Sequence, residues 1–203
     1  MWQWLSELQG AQASLLGSFA GFLFGICALV VGALVNFRLN RRRDALLRGE
    51  EADSVAAALY GEIVLIRKEL ARTANIVAKT EMRGGTFDKH FLELTRLQEP
   101  LLYKALANKL GLLAPEVVLA ITDFHGNVEL ARGWLPQLVE SDDRKFSYSP
   151  LTVLEPAIKA IDGVKPTLDH IAKTMRIGPP EDDFDLSNPY AIAENEREKF
   201  GER

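Results

Sequence analysis

The feature that most constrains this chain is a run of thirty residues, Leu8 to Phe37, that contains no charged side chain. Its centre, Leu15 to Val35, is almost purely apolar and would be about 31 Å long as a helix, close to the thickness of a bilayer's hydrocarbon layer. We therefore predict a single transmembrane helix at residues 11–37. A short extracytoplasmic stub, residues 1–10, is expected before it, and the rest of the chain on the other side of the membrane.

The charges that flank this run predict its orientation. The segment up to Phe37 contains no lysine or arginine and one acid, Glu7, whereas a basic cluster follows directly, formed by Arg38, Arg41, Arg42 and Arg43. Such a bias keeps the arginine side in the cytoplasm, so residues 38–203 are expected there. A cleaved signal peptide is the alternative, but it requires positive charge before the apolar run and a small-residue cleavage site after it. The cluster also suits anionic lipids, although its role in topology alone explains it.

Within the apolar run, small residues recur at every fourth position, at Gly17, Gly21 and Gly25. This spacing lets a second helix approach closely, so it predicts packing of the membrane helix with itself or with another protein's membrane helix. The alternative is that glycine is simply common in membrane helices. Cys27 is the only cysteine, so it is interpreted as a small apolar residue.

Beyond a basic juxtamembrane segment, residues 38–52, helical periodicity dominates. The helix is expected to weaken at Gly49 and to restart near Asp53 or Ser54. Apolar and small residues then alternate at spacings of four and three, namely Leu59, Ile63, Ile66, Leu70, Thr73 and Val77. Because residues 63–66 are apolar on every side, we predict a helix buried by several neighbours, with Gly61 at one close crossing and Gly84-Gly85 at its end.

Four further helical regions are predicted from turn residues and apolar spacing. They are Thr86 to Leu97, a helix opened by Pro100, a helix from Pro115 with Pro136 near its end, and Pro150 to Arg176, bent at Pro156 and near Gly163. No alternating strand pattern is present, so the fold class is all-α, with residues 53–177 forming an antiparallel helical bundle.

The final segment, residues 178–203, carries eight acids against three bases and few bulky apolar residues. Such a composition predicts disorder, with at most a short helix at residues 191–199.

Catalytic and metal-binding signatures are missing from the sequence. The three histidines, His90, His125 and His170, lack the Glu-x-x-His and His-Glu-x-x-His spacings of metal sites, so they are expected at the surface or at caps. We expect no metal, no cofactor and no enzymatic activity. The net charge of −4, with its basic cluster next to the bilayer, argues against nucleic acid as a partner.

These features predict a single-pass, membrane-anchored interaction module, a scaffold, regulator or sensor subunit, that forms homo-oligomers or binds another membrane protein or a cytoplasmic protein. Two alternatives remain: an oligomeric pore gated by the bundle, and an enzyme with a site assembled across helices. The layout is similar to that of many bacterial membrane proteins, so the predicted location is the cytoplasmic (inner) membrane.

Overall fold

The computed structural model describes residues 10–139, 146–180 and 184–201, with side chains described for residues 14–139, 146–180 and 184–199. Every regular element in these ranges is a helix, so the all-α prediction is confirmed at this level. The elements are α1 (Gly10–Met82), α2 (Lys89–Leu94), α3 (Leu101–Leu106), a 3₁₀ helix (Ala107–Leu112), α4 (Pro115–Leu138), α5 (Leu151–Gly163), α6 (Lys165–Met175) and α7 (Ser187–Gly201).

The chain divides into two compact units, one up to Glu50 and one from Glu51 onward. In the first unit every described side chain is exposed, and this part of α1 is long and apolar enough to cross a membrane. The predicted weakening of the helix at Gly49 is wrong, because α1 has no break there. One glycine costs a helix only about 1 kcal/mol, and the flanking Arg48, Glu50 and Glu51 are good helix formers.

In the second unit, α1 contributes the stripe that its sequence predicts. All six positions of the four-three alternation are buried, and Val55 extends the stripe by one further turn. Two finer expectations are wrong. Leu65 is 67% exposed, so the helix is not covered on every side. A Cβ atom at Gly61 would meet nothing within 4 Å, so none of the described helices crosses α1 closely there.

The glycine pair ends α1 as predicted. Gly84 adopts the left-handed conformation, with φ of +60°. Its N–H donates to the carbonyl of Glu81 at 2.9 Å, and the N–H of Gly85 donates to the carbonyl of Thr80, also at 2.9 Å. This pair of bonds is the Schellman arrangement, which satisfies carbonyl groups that have no partner within the helix.

The next helix is shorter than predicted. The helix does not begin at Thr86: Asp88 caps α2, because its carboxylate accepts the N–H of Phe91 at 2.8 Å. The helix ends at Leu94, where the hydroxyl of Thr95 donates to the carbonyl of Phe91 at 2.8 Å. Residues 95–100 therefore form a connecting segment that leads to α3.

The prolines act mostly as predicted. Pro115 occupies the first turn of α4, where its missing N–H removes no helical bond, and Pro136 lies in the last turn. Pro156 lies inside α5 without splitting it. The bend expected near Gly163 is a separation of α5 from α6 at Val164, next to Lys165-Pro166.

The prediction of a disordered acidic tail is wrong for residues 187–201, which form α7. Leu186 and Ala193 join the apolar core, which also contains residues from α1, α4, α5 and α6. Ser149 donates a hydrogen bond to the buried carboxylate of Glu196 at 2.6 Å. A few small apolar and polar contacts are thus enough to order a segment whose overall composition is acidic. Residues 181–183, 202 and 203 lie outside the described residues.

Candidate functional site

The three glycines predicted to pack against another helix lie on one face of α1. A Cβ atom at Gly17, Gly21 or Gly25 would meet nothing within 4 Å. No described residue of this chain therefore covers the glycine face, and its packing stays a prediction.

The basic cluster also lies on α1. Its four members, Arg38, Arg41, Arg42 and Arg43, are all exposed. The guanidinium carbon of Arg41 lies 5.2 Å from the ring centroid of Phe37, a cation–π distance. Arginine and aromatic residues at the end of an apolar helix are typical of a membrane–water interface.

Among the residues that the structure describes, no group of three histidine, cysteine or acidic side chains is placed to hold a metal ion. His90 and His170 are exposed, as expected. His125 differs, because it is only 3% exposed and its ring stacks on Tyr103 with centroids 3.9 Å apart. Neither ring nitrogen has a hydrogen-bond partner in the described part of the chain. Burial lowers the pKa of His125 to about 4, although the nearby carboxylate of Glu62 raises it.

An open cleft of about 860 Å³ lies in the second unit, between α1, residues 92–101 and α4. Three arginines line it, one from each wall: Arg72, Arg96 and Arg132. Leu97 and Leu135 lie buried in its lining, and Leu101 lies exposed at its edge. We call this surface the arginine cleft.

The segment that forms one wall of the arginine cleft is held on both sides. The carboxylate of Glu69 on α1 accepts the backbone N–H of Gln98 at 3.2 Å. Arg132 on α4 donates to the backbone carbonyl oxygen of Gln98, and also to the carboxylate of Glu129 at 2.7 Å. Lys104 donates to Glu99 at 3.0 Å, and this hydrogen bond lowers the pKa of the Glu99 carboxyl. Both acids of the cleft are thus engaged with groups of this chain.

The cations of the cleft are less fully engaged than its acids. Arg72 and Arg96 are exposed, and neither has an ion-pair or hydrogen-bond partner among residues 14–139, 146–180 and 184–199. The Nε atom of Arg132 is buried and also lacks a partner within those ranges. Arg72 also lines a smaller neighbouring cleft of about 440 Å³, together with Lys79 and Phe184.

The sequence alone does not predict this cleft. Its arginines are separated by 24 and 36 positions, and no motif or periodicity connects them. One sequence feature pointed to part of it: Arg72 lies outside the apolar stripe of α1, and it is exposed in the structure.

Comparison of the chain with models of protein families, with curated proteins and with solved structures finds no match.

Proposed function

We propose that this protein is a single-pass, membrane-anchored interaction module. In this proposal, residues 11–37 hold the protein in the cytoplasmic membrane, and a cytoplasmic helical bundle at residues 53–177 binds a protein partner. The observation that supports the membrane anchor is the exposure of the apolar part of α1: its large apolar side chains from Leu15 to Phe37 are 42% to 77% exposed. An uninterrupted apolar helix of this length is unfavourable in water and matches the bilayer interior.

Membrane extraction tests the anchor. We expect the full-length protein to stay in the membrane pellet after alkaline carbonate treatment. A Leu23→Arg, Phe24→Arg variant should be released, because both positions lie at the centre of residues 11–37 and each arginine at the centre of a membrane helix costs about 3 kcal/mol. Exposed arginine substitutions in the second unit, at Leu119 and Leu130, are the matched control and should leave the protein in the pellet. Release of the wild type would overturn the anchor.

Orientation is tested separately. The proposed topology places residues 38–203 in the cytoplasm, which is supported by the arginine cluster after the apolar run. A reporter that is active only in the cytoplasm and is fused after Arg203 should therefore work. An inactive fusion, together with activity of a periplasmic reporter at the same position, would reverse the topology.

We further propose that the face formed by Gly17, Gly21 and Gly25 packs against another membrane helix, in the first instance that of a second copy. The full-length protein in bilayer nanodiscs should be a defined oligomer, and Gly21→Ile should reduce it to a monomer by preventing close approach. Ala33→Ile is the matched control, since position 33 lies about a third of a turn from the centre of the glycine row. A monomeric wild type would contradict self-association.

A further inference from the structure

We propose that the arginine cleft is a docking site for an acidic segment of a partner protein, one that carries both carboxylate and bulky apolar side chains. This inference names the chemistry of the partner and rests on the proposed function as an interaction module. Arg72 and Arg96 are the cations that the partner contacts. Arg132 holds the wall that carries Arg96.

Charge is the first argument for this partner. The cleft's two acids already have partners, since Glu69 accepts an N–H of the wall and Glu99 pairs with Lys104. The guanidinium groups of Arg72 and Arg96 have no partner in the described ranges. The charge that remains for a ligand is therefore positive, although the whole chain has a net charge of −4. Guanidinium groups bind carboxylates through paired, charge-assisted hydrogen bonds.

The apolar part of the lining is the second argument. Leu92 in the lining is half-buried, Pro136 is exposed, and Leu101 is 71% exposed, so apolar surface of the cleft faces solvent. A partner that brought only charge would leave this apolar surface in water. A segment with both acidic and bulky apolar side chains would cover both kinds of surface.

The wall that carries Arg96 is held in place before any partner binds. Gln98 is bonded through its N–H to α1 and through its carbonyl to α4. Arg96 is therefore presented by a segment whose backbone is already held, so binding requires little additional loss of backbone conformational entropy.

A peptide also fits this cleft better than a small inorganic anion does. Anion sites in proteins commonly use free backbone N–H groups, but the N–H of Gln98 is already donated to Glu69. The three arginines come from three different walls of a cleft of about 860 Å³, so they are spread over a surface larger than one phosphate.

The test measures binding of a short fluorescein-labelled peptide of acidic and leucine residues by fluorescence anisotropy. The full-length protein is used in nanodiscs of zwitterionic lipid, so that its arginines meet no anionic headgroup. A companion peptide with lysine in place of every acid serves as the charge control. We expect the acidic peptide to bind, and binding to weaken as ionic strength rises from about 0.05 to 0.5 M.

An R72E, R96E double variant should bind the acidic peptide at least about tenfold more weakly. Both side chains are exposed and make no described polar contact, so this variant should keep its fold, which circular dichroism verifies. A Lys89→Glu, Lys173→Glu double variant is the matched control, because it makes the same two charge reversals at exposed positions of α2 and α6 outside the cleft. It should leave binding unchanged.

Three results would overturn the proposal: no binding of the acidic peptide up to about 1 mM, equal binding of the lysine peptide, or full binding by the double variant. Displacement of the peptide by inorganic phosphate at constant ionic strength would assign the cleft to a free anion instead. Carbonate extraction is read independently of peptide binding, so failure of the anchor and failure of the cleft are distinguishable.

Discussion

Arg67 on α1 donates a hydrogen bond from Nε to the backbone carbonyl oxygen of Ile161, in the last turn of α5, at 2.9 Å. Its guanidinium carbon also lies 4.9 Å from the ring centroid of Phe184, just before α7. The carbonyl groups at a helix C-terminus lack partners within the helix, and a cation there complements the helix dipole. One buried arginine therefore connects α1, α5 and the segment that leads into α7.

Replacing this arginine tests how much the connection contributes. Arg67→Met keeps much of the side-chain length but removes the charge and the donor, which leaves the carbonyl of Ile161 without this hydrogen bond. We expect the free energy of unfolding to fall by about 2–3 kcal/mol, as measured by urea titration in mild detergent. Arg72→Met, on the exposed face of the same helix, should change it by less than about 0.5 kcal/mol. Equal stabilities of the two variants would contradict this role.

Glu62 performs a similar function at the start of α3. The residue before this helix is Pro100, which offers no side-chain cap, and the carboxylate of Glu62 accepts the N–H groups of Leu102 at 2.6 Å and Tyr103 at 2.8 Å. Glu62→Ala should destabilise α3 by about 1–2 kcal/mol. Hydrogen exchange of the amides in α3 should then be about tenfold faster, whereas Glu198→Ala on α7 should not change it. Unaltered protection of α3 in Glu62→Ala would show that another group caps the helix.

The buried imidazole of His125 predicts a specific dependence of stability on pH. Its folded-state pKa of about 4 lies below the ordinary value of 6.5, so the unfolded chain binds the proton more tightly. Its contribution to stability is therefore complete above pH 6.5 and decreases as the pH falls towards 4. Proton linkage predicts that this contribution to the free energy of unfolding falls by about 3 kcal/mol by pH 4.

The measurement is the difference in unfolding free energy between the wild type and His125→Phe over this pH range. Phenylalanine retains the aromatic contact with Tyr103 and cannot be protonated, so the variant should lose this part of the pH dependence. His90→Gln changes an exposed histidine and should behave like the wild type. Parallel pH profiles for the wild type and His125→Phe would show that the imidazole does not titrate in this way.

Packing of α7 is tested by two alanines on the same helix. Ala193 is 1% exposed, whereas Ala191 is exposed. Ala193→Glu should detach α7, because a carboxylate would be buried without a partner, and limited proteolysis should then cleave residues 187–199. Ala191→Glu should remain resistant. Removing all residues after Gly178 should therefore lower the free energy of unfolding. An unchanged value, which a disordered tail would give, would show that the packing of α7 does not stabilise the fold.

Much of the helical fold could be predicted because its signals are local. The buried stripe from Leu59 to Val77 follows from periodicity alone, and Gly84 and Pro115 mark helix ends through their own backbone geometry. The error at the C-terminal segment arose because local and tertiary preferences differ there. Composition indicated disorder for α7, but the burial of Leu186 and Ala193 outweighs its acidic character.

The candidate site was predictable only in part. The glycine row and the arginines after Phe37 are visible in the sequence because they depend on spacing and on neighbouring charge. The arginine cleft was not visible, since Arg72, Arg96 and Arg132 meet only through the packing of three separate elements.

The sequence by itself determined the apolar segment, the charge asymmetry around it and the helical character of the chain, because each depends on the chemistry of residues that are neighbours along the chain. Only the tertiary structure decided that His125 is buried, that Arg67 reaches Ile161 and that three arginines share one cleft. These relationships join residues separated by tens of positions. Their energies depend on burial and on hydrogen-bond geometry, which exist only once the helices have packed.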